Sequence, residues 1–501
     1  MKSLFKAVAL ITVFSVLTRI SGFLFRIYLA RAIGEVELGL YQIAFSIFVV
    51  LLTLVSSGLP LTVSKLSAKF KATNQLDKQN SAVSASLIVG GLTACILCTV
   101  LAIFNKHLTV LFPDSRCVLI LISLLPAVVF SAVYSVFRGV LWGHNKYFIV
   151  CVVELIEQLS RIIICVLALS FIFSSVEGSL VASISLSIAC MISLAVITVA
   201  YFKSGFRLGS PKGAYKEVVV PSASITGVRV LSSLIQPLVA IIVPMRMMSA
   251  GYTAEQSLTQ FGIAMGMTYP LLFLPSTLVG SLAMALIPDL ASAHACNDQK
   301  HINSRIQTSI LFSFFVAGLC VPVYMALGEP ICRFLFDNSQ AGIYLSNSAW
   351  IMIPICVSNI TTTTLNALGL EVKSMKNYLV GALFMLLCLW FLPQYIGVES
   401  MIVGLGGCML ITTLLNLLMI EKAVPNVKYR TKSILLVIVA IPTALFVSNI
   451  YTTLSFILPN FINIIICGCI SVVIYTILCE IFNLVKIKSF LIKPKASKNL
   501  K

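Results

Sequence analysis

Long apolar runs alternate with short polar segments from one end of the chain to the other, each run closed by Lys, Arg, Pro or Gly. A bilayer core takes ~20 apolar residues per helix. The pattern predicts fourteen spanning helices, near 7–28, 40–62, 82–104, 117–137, 148–173, 179–201, 218–243, 260–287, 306–327, 346–368, 378–396, 400–420, 433–452 and 461–485. Lys2 and Lys6 ahead of Ala7–Leu17 imitate the start of a secretory leader. Thr18-Arg19 follows instead of a small-residue cleavage site, and the apolar pattern continues to Ala30, so an uncleaved first helix is expected.

Composition agrees. Hydrophobic residues make up 59% of the 501 residues and charged residues 10%, with a mean hydropathy of +1.03. Soluble domains carry ~25% charged residues. Disorder, collagen and a secreted disulfide scaffold are excluded on the same grounds. Most of the fifteen cysteines sit inside apolar runs, where a thiol behaves as a small hydrophobe. The Cys95/Cys98 pair falls in such a run without a partner pair at zinc spacing.

The formal charge of +18 is mostly a matter of topology. With both termini cytoplasmic, 26 of the 35 Lys and Arg fall in inner segments, five in outer loops and four within helices. Hence the fold class expected is all-α: a polytopic membrane protein of about fourteen helices in two six-helix lobes plus two C-terminal helices. The lobes are expected over 1–201 and 218–396, with 400–420 the favoured last helix of the second. A cytoplasmic linker at 202–217 joins them, two more helices fill 421–485, and 486–501 forms a basic cytoplasmic tail against anionic lipid headgroups. No nucleic-acid partner is expected.

Ionisable side chains within spans are costly and mark cavities or partners. Ser15, Arg19, Gly22 and Arg26 step by 4, 3 and 4 and share a helix face, where two guanidiniums form a candidate anion site. Arg26, near the helix end, also fits snorkelling. Ser222, Thr226, Arg229, Ser233 and Gln236 make a polar stripe between Pro221 and Pro237, lining either a wet cavity or a helix contact; the arginine favours the cavity. Glu154, Glu157 and Arg161 step by 3 and 4, and Glu157 to Arg161 has the favourable i,i+4 orientation. That pair is expected either to lock its helix or to serve as a gate or ion-coupling site.

No catalytic motif accompanies these residues, and His107, His144, His294 and His301 lack metal spacing, so neither an enzyme nor a metal site is expected. No cofactor is called for; transport would draw on a Na⁺ or H⁺ gradient, the membrane potential or the substrate itself. Tyr41-Gln42-Ile43-Ala44 and Phe261-Gly262-Ile263-Ala264 hint at a repeat six helices apart, a known transporter plan with substrate between the halves.

Thr18-Arg19-Ile20-Ser21-Gly22-Phe23, Ala30-Arg31, Ile33-Gly34 and Gly39-Leu40-Tyr41 resemble the multidrug/oligosaccharidyl-lipid/polysaccharide exporter superfamily. Between Pro244 and Pro288, the elements Arg246, Ala250-Gly251, Glu255, Gly262, Gly266-Met267, Pro270-Leu271-Leu272-Phe273-Leu274-Pro275 and Ile287-Pro288 resemble its stage V sporulation protein B and polysaccharide-biosynthesis flippase family. Phe137-Arg138-Gly139, Gly143, Glu157-Gln158 and Arg161 fit the same group.

The resemblance implies a multi-pass flippase of the bacterial cell membrane. It would move an undecaprenyl-pyrophosphate-linked saccharide, a peptidoglycan precursor such as lipid II or a related polysaccharide unit, to the outer leaflet by alternating access. Cell-wall synthesis machinery and sporulation are implied as partner and setting. Family arginines face the pyrophosphate. Arg19 matches the first; the second falls at Phe25, with Arg26 one residue beyond, and a basic residue of helix eight is replaced within Tyr269-Pro270-Leu271, leaving Arg229 as a substitute. Arg19, Arg26 and Arg229, with Ser222, Thr226, Ser233 and Gln236, are therefore the candidate substrate contacts. A cation-coupled drug exporter would instead favour cavity carboxylates. A non-transporting scaffold for cell-wall synthesis would pair its polar stripes with each other.

Overall fold

The computed structural model describes residues 2–109, 112–172, 177–296, 298–425, 429–457 and 459–484; the tail expected at 486–501 lies outside them. No strand occurs among the described residues. Lipid offers no hydrogen-bond partners, so each apolar run satisfies its backbone within its own helix.

The chain forms two compact units, Met1–Gly266 and Met267–Lys501. The first holds α1 (Lys2–Ser56), α2 (Leu59–Ala72), α3 (Leu76–Ile103), α4 (Asn105–Leu108), α5 (Arg116–Gly143), α6 (Tyr147–Leu167), α7 (Gly178–Lys203), α8 (Tyr215–Ser233), α9 (Ile235–Ser249) and α10 (Ala254–Gly262). The second holds α11 (Tyr269–Phe273), α12 (Ser276–Ala295), α13 (Gln299–Phe336), α14 (Ser339–Ser348), α15 (Met352–Ala367), α16 (Glu371–Phe391), α17 (Pro393–Ile396), α18 (Ser400–Ala423), α19 (Arg430–Leu454) and α20 (Asn460–Ile481). The division falls at Gly266/Met267 and not in the 202–217 segment, because α8, α9 and α10 pack against α1.

Among the described residues, eleven helices are long and apolar enough to cross a membrane, or up to twelve if the pair broken at Leu274-Pro275 is one bent span. Fourteen were expected, and two features account for much of the difference. The first two expected spans are fused in α1, 55 residues long and so about 80 Å. Gly34, at φ 78°, breaks it between them, in a conformation that costs glycine little. The fifth expected span survives as α6, 21 residues long, but Glu154, Glu157 and Arg161 leave it too charged to qualify on composition.

In the first unit α5 packs against α1, α2, α3 and α7, with Phe137, Val140 and Leu141 in a core shared with Val63, Val150 and Tyr201. The 204–214 segment is docked on this unit. Gly209 N donates to Ser84 Oγ (3.1 Å), Tyr201 Oη donates to the Arg207 carbonyl (3.0 Å), and Phe206 lies edge-on to the His144 ring (4.6 Å between centroids).

In the second unit α13 packs against α14, α15, α19 and α20. The fully buried Asn416 accepts from Asn377 and donates to Thr361 and Thr362, tying α16, α18 and α15 together. Tyr475 donates to the Leu436 carbonyl (3.0 Å), so the two C-terminal helices are joined to each other.

His144 makes the docked segment sensitive to pH. Its Nε2 lies 2.8 Å from Gln79 Oε1. Burial, reinforced by Lys71 and Lys146, holds the imidazole below its ordinary range. The unfolded chain therefore binds more protons in that window, so the stabilisation is complete above the ordinary histidine pKa of about 6.5 and is lost as pH falls below it. Thermal unfolding in detergent should show a larger loss of stability between neutral and mildly acidic pH for the wild type than for His144→Gln; equal losses would contradict this.

Candidate functional site

All the candidate polar residues belong to the first unit. The stripe on α8 divides into two parts. Ser222 is buried, and both it and Thr226 meet the break between α1 and α2. Ser57 Oγ donates to Thr226 Oγ1 (3.4 Å), and a Cβ on Gly58 would stand 2.2 Å from the Ser222 carbonyl oxygen and 2.6 Å from Thr226 Oγ1. Only glycine permits that approach, and this part of the stripe is a helix contact. Arg229 is exposed and donates from Nη1 to the Ser57 carbonyl (3.3 Å). Ser233 turns back to the Val230 carbonyl (2.9 Å). Pro237 cannot donate to the Ser233 carbonyl, and the expected continuous helix gives way to α9 at Leu234, with Gln236 exposed beyond it.

The α6 cluster is arranged differently from its sequence spacing. The expected Glu157–Arg161 ion pair does not form. Arg161 Nη2 donates to Tyr41 Oη (2.7 Å), and its guanidinium lies over the Phe25 ring, 4.8 Å from the centroid. Phe25 and Tyr41 are both buried, so α1 supplies a fixed aromatic seat. Glu154 pairs with Arg138 of α5 at 2.8 Å, and Arg138 also lies over Trp142 at 5.4 Å. Glu157 faces Ser193 of α7. The i,i+4 spacing thus yields to partners from neighbouring helices, which offer a buried phenol and a second guanidinium.

On α1, Arg19 and Arg26 are both exposed, and neither has a carboxylate partner among the described residues. Arg26 lies within electrostatic reach of Tyr41 and Arg161. Arg26 and Arg161 are thus brought together, while Arg229 is anchored at Ser57. Gln158, beside Gly22 of α1, joins the first group: a Cβ on Gly22 would lie 3.6 Å from Gln158 Nε2.

Arg138, Tyr41 and Ser57-Gly58 are contributors that charge within the expected spans does not single out, whereas Gln158 stands beside the Glu157/Arg161 cluster in the sequence itself. Arg138 lies beyond the expected span end at 137, whereas α5 continues to Gly143. The arrangement presents guanidinium donors in an apolar setting, which suits binding of an oxyanion. A double-mutant cycle on Arg138 and Glu154 should give a coupling of about 0.2–1 kcal/mol, as expected for a half-exposed pair, and one on Glu157 and Arg161, which are within electrostatic reach but form no ion pair, a smaller coupling. The reverse ranking, measured by unfolding in detergent, would restore the i,i+4 pair.

The model of a family described as polysaccharide biosynthesis protein matches residues 4–294. Stage V sporulation protein B of Bacillus subtilis (strain 168) is 25% identical over 484 residues, covering 94% of this chain and 93% of that protein. Among solved structures, a lipid II flippase MurJ in an inward closed conformation superposes with a TM-score of 0.73 at 14% identity, covering 97% of this chain and 100% of that one. An inward-facing multidrug resistance MATE family transporter of the MOP superfamily superposes with a TM-score of 0.67 at 14% identity, covering 81% and 95%. At such identities the structural likenesses establish the fold alone.

Proposed function

The chain belongs to the polysaccharide biosynthesis protein family, and from that premise we propose that it is a flippase for an undecaprenyl-pyrophosphate-linked saccharide. The cargo would be a peptidoglycan precursor such as lipid II, or a related polysaccharide unit, carried from the inner to the outer leaflet by alternating access. An ion gradient or the membrane potential would supply the drive.

One observation carries the choice of an anionic cargo. Arg19 and Arg26 lie in a spanning helix with no carboxylate partner among the described residues, and Arg229 reaches only a backbone carbonyl. Guanidinium gives bidentate, charge-assisted hydrogen bonds to phosphate oxygens and keeps its charge at every physiological pH. The prenyl tail of such a cargo can remain in lipid while its pyrophosphate is held by these groups.

The exporter reading requires carboxylates free to bind a cation. Here Glu154 is neutralised by Arg138, and Glu157 stands within electrostatic reach of both Arg161 and Arg138, which weighs against it. The scaffold reading requires the polar stripes to pair with each other. Thr226 pairs with Ser57 at the α1–α2 break and the Ser222 backbone packs against Gly58 there, but Arg19 and Arg26 have no carboxylate partner among the described residues. The similarity to stage V sporulation protein B supports a sporulation setting.

Replacing Arg19, Arg26 or Arg229 by Ala should abolish complementation of a flippase-deficient strain at unchanged protein levels. Full function in all three variants would overturn the assignment of the cargo's anion to these residues.

A further inference from the structure

The charges of the α1–α5–α6 core are not matched one to one. Glu154 is taken by Arg138, at 2.8 Å. Glu157 faces Ser193 and stands within electrostatic reach of Arg161 without forming an ion pair with it. Arg26 and Arg161 are left within electrostatic reach of each other. Arg161's hydrogen-bond partner is the neutral Tyr41 hydroxyl, at 2.7 Å.

Hydrogen bonding shows the same imbalance. Arg161 Nε and Gln158 Nε2 are enclosed and have no partner among the described residues. Both are donors, both come from α6, and they are one helical turn apart. Beneath Arg161 lies the Phe25 ring, which offers no acceptor atom, and Gly22 leaves the space beside Gln158 open to an ordinary contact at 3.6 Å. Two like charges repel strongly where the dielectric is low, and enclosed donors without acceptors are costly. A single oxyanion with several lone pairs relieves all of these terms at once. A water molecule satisfies the donors but leaves the net positive charge of Arg26 and Arg161, which Glu157 offsets only in part, without a counter-charge.

We propose that Arg161, Gln158 and Arg26 form a site for a phosphate-class anion, with Phe25 and Tyr41 fixing the plane of the Arg161 guanidinium. Arg161 and Gln158 then act as specificity-determining residues on α6, where sequence spacing suggested a self-satisfied ion pair. The inference rests on the flippase reading only for what the anion is attached to. Pyrophosphate on a prenyl lipid and a free inorganic anion share the chemistry that this site recognises.

The full-length protein in detergent should be titrated with inorganic pyrophosphate at constant ionic strength, following its thermal midpoint. The wild type should show a saturable upward shift. Arg161→Gln should weaken the apparent affinity by tenfold or more, and Gln158→Leu, which keeps the Arg161–Tyr41 bond, by several fold. Gln158→Leu keeps the test decisive if Arg161→Gln fails to fold.

Competition by a short-chain prenyl pyrophosphate would assign the site to the lipid headgroup, and its absence to a free anion; either supports the site. A wild type indifferent to pyrophosphate would overturn it. So would both variants binding like the wild type, in which case Arg161 only ties α6 to α1. Arg161-dependent binding without any lipid translocation would leave the site standing and remove the flippase reading. Translocation without Arg161-dependent binding would do the opposite.

Discussion

A charge carried into an apolar helix must find a partner or face a polar ligand, and the first unit is organised around that requirement. Arg138 and Glu154 meet across α5 and α6. Arg161 takes a phenol and an aromatic face from α1. Arg229 takes a carbonyl at the α1–α2 break. These three connections join α1, α5, α6 and α8, so the polar residues also define how the apolar helices are placed. Glu157 stands within electrostatic reach of Arg161, and what is left over among the described residues is positive, at Arg19 and Arg26.

Close backbone approach makes this possible. Without Gly58, α8 could not come near enough for Ser222 and Thr226 to meet the break, nor for Arg229 to reach Ser57. The fold itself is shared with a lipid II flippase and with a multidrug transporter, and a fold common to both does not choose between their cargoes. The choice lies in the sign of the side chains left unpaired, and in this chain that sign is positive.

Much of the helical content was legible because a continuous apolar run has only one way to cross lipid. Gly34 was less legible: a single residue at positive φ lies within one extended helix where two separate spans were expected. The partners of charged residues were least legible. Helical periodicity places Glu157 and Arg161 on one face but is silent about the next helix, and the next helices supply Tyr41, Phe25 and Arg138. The sequence left open whether Ser222 and Thr226 line a cavity or a helix contact for the same reason, since a polar stripe looks alike whether it meets water or a neighbouring backbone. Arg138 was hidden by the position at which its span was judged to end.

The most direct measurement of the central claim is lipid translocation by the purified protein in proteoliposomes, comparing one saccharide carried on undecaprenyl pyrophosphate with the same saccharide on a prenyl carrier lacking phosphate. The pyrophosphate-linked lipid should be moved to the opposite leaflet and the phosphate-free lipid should not. Equal movement of both, or of neither, would contradict it.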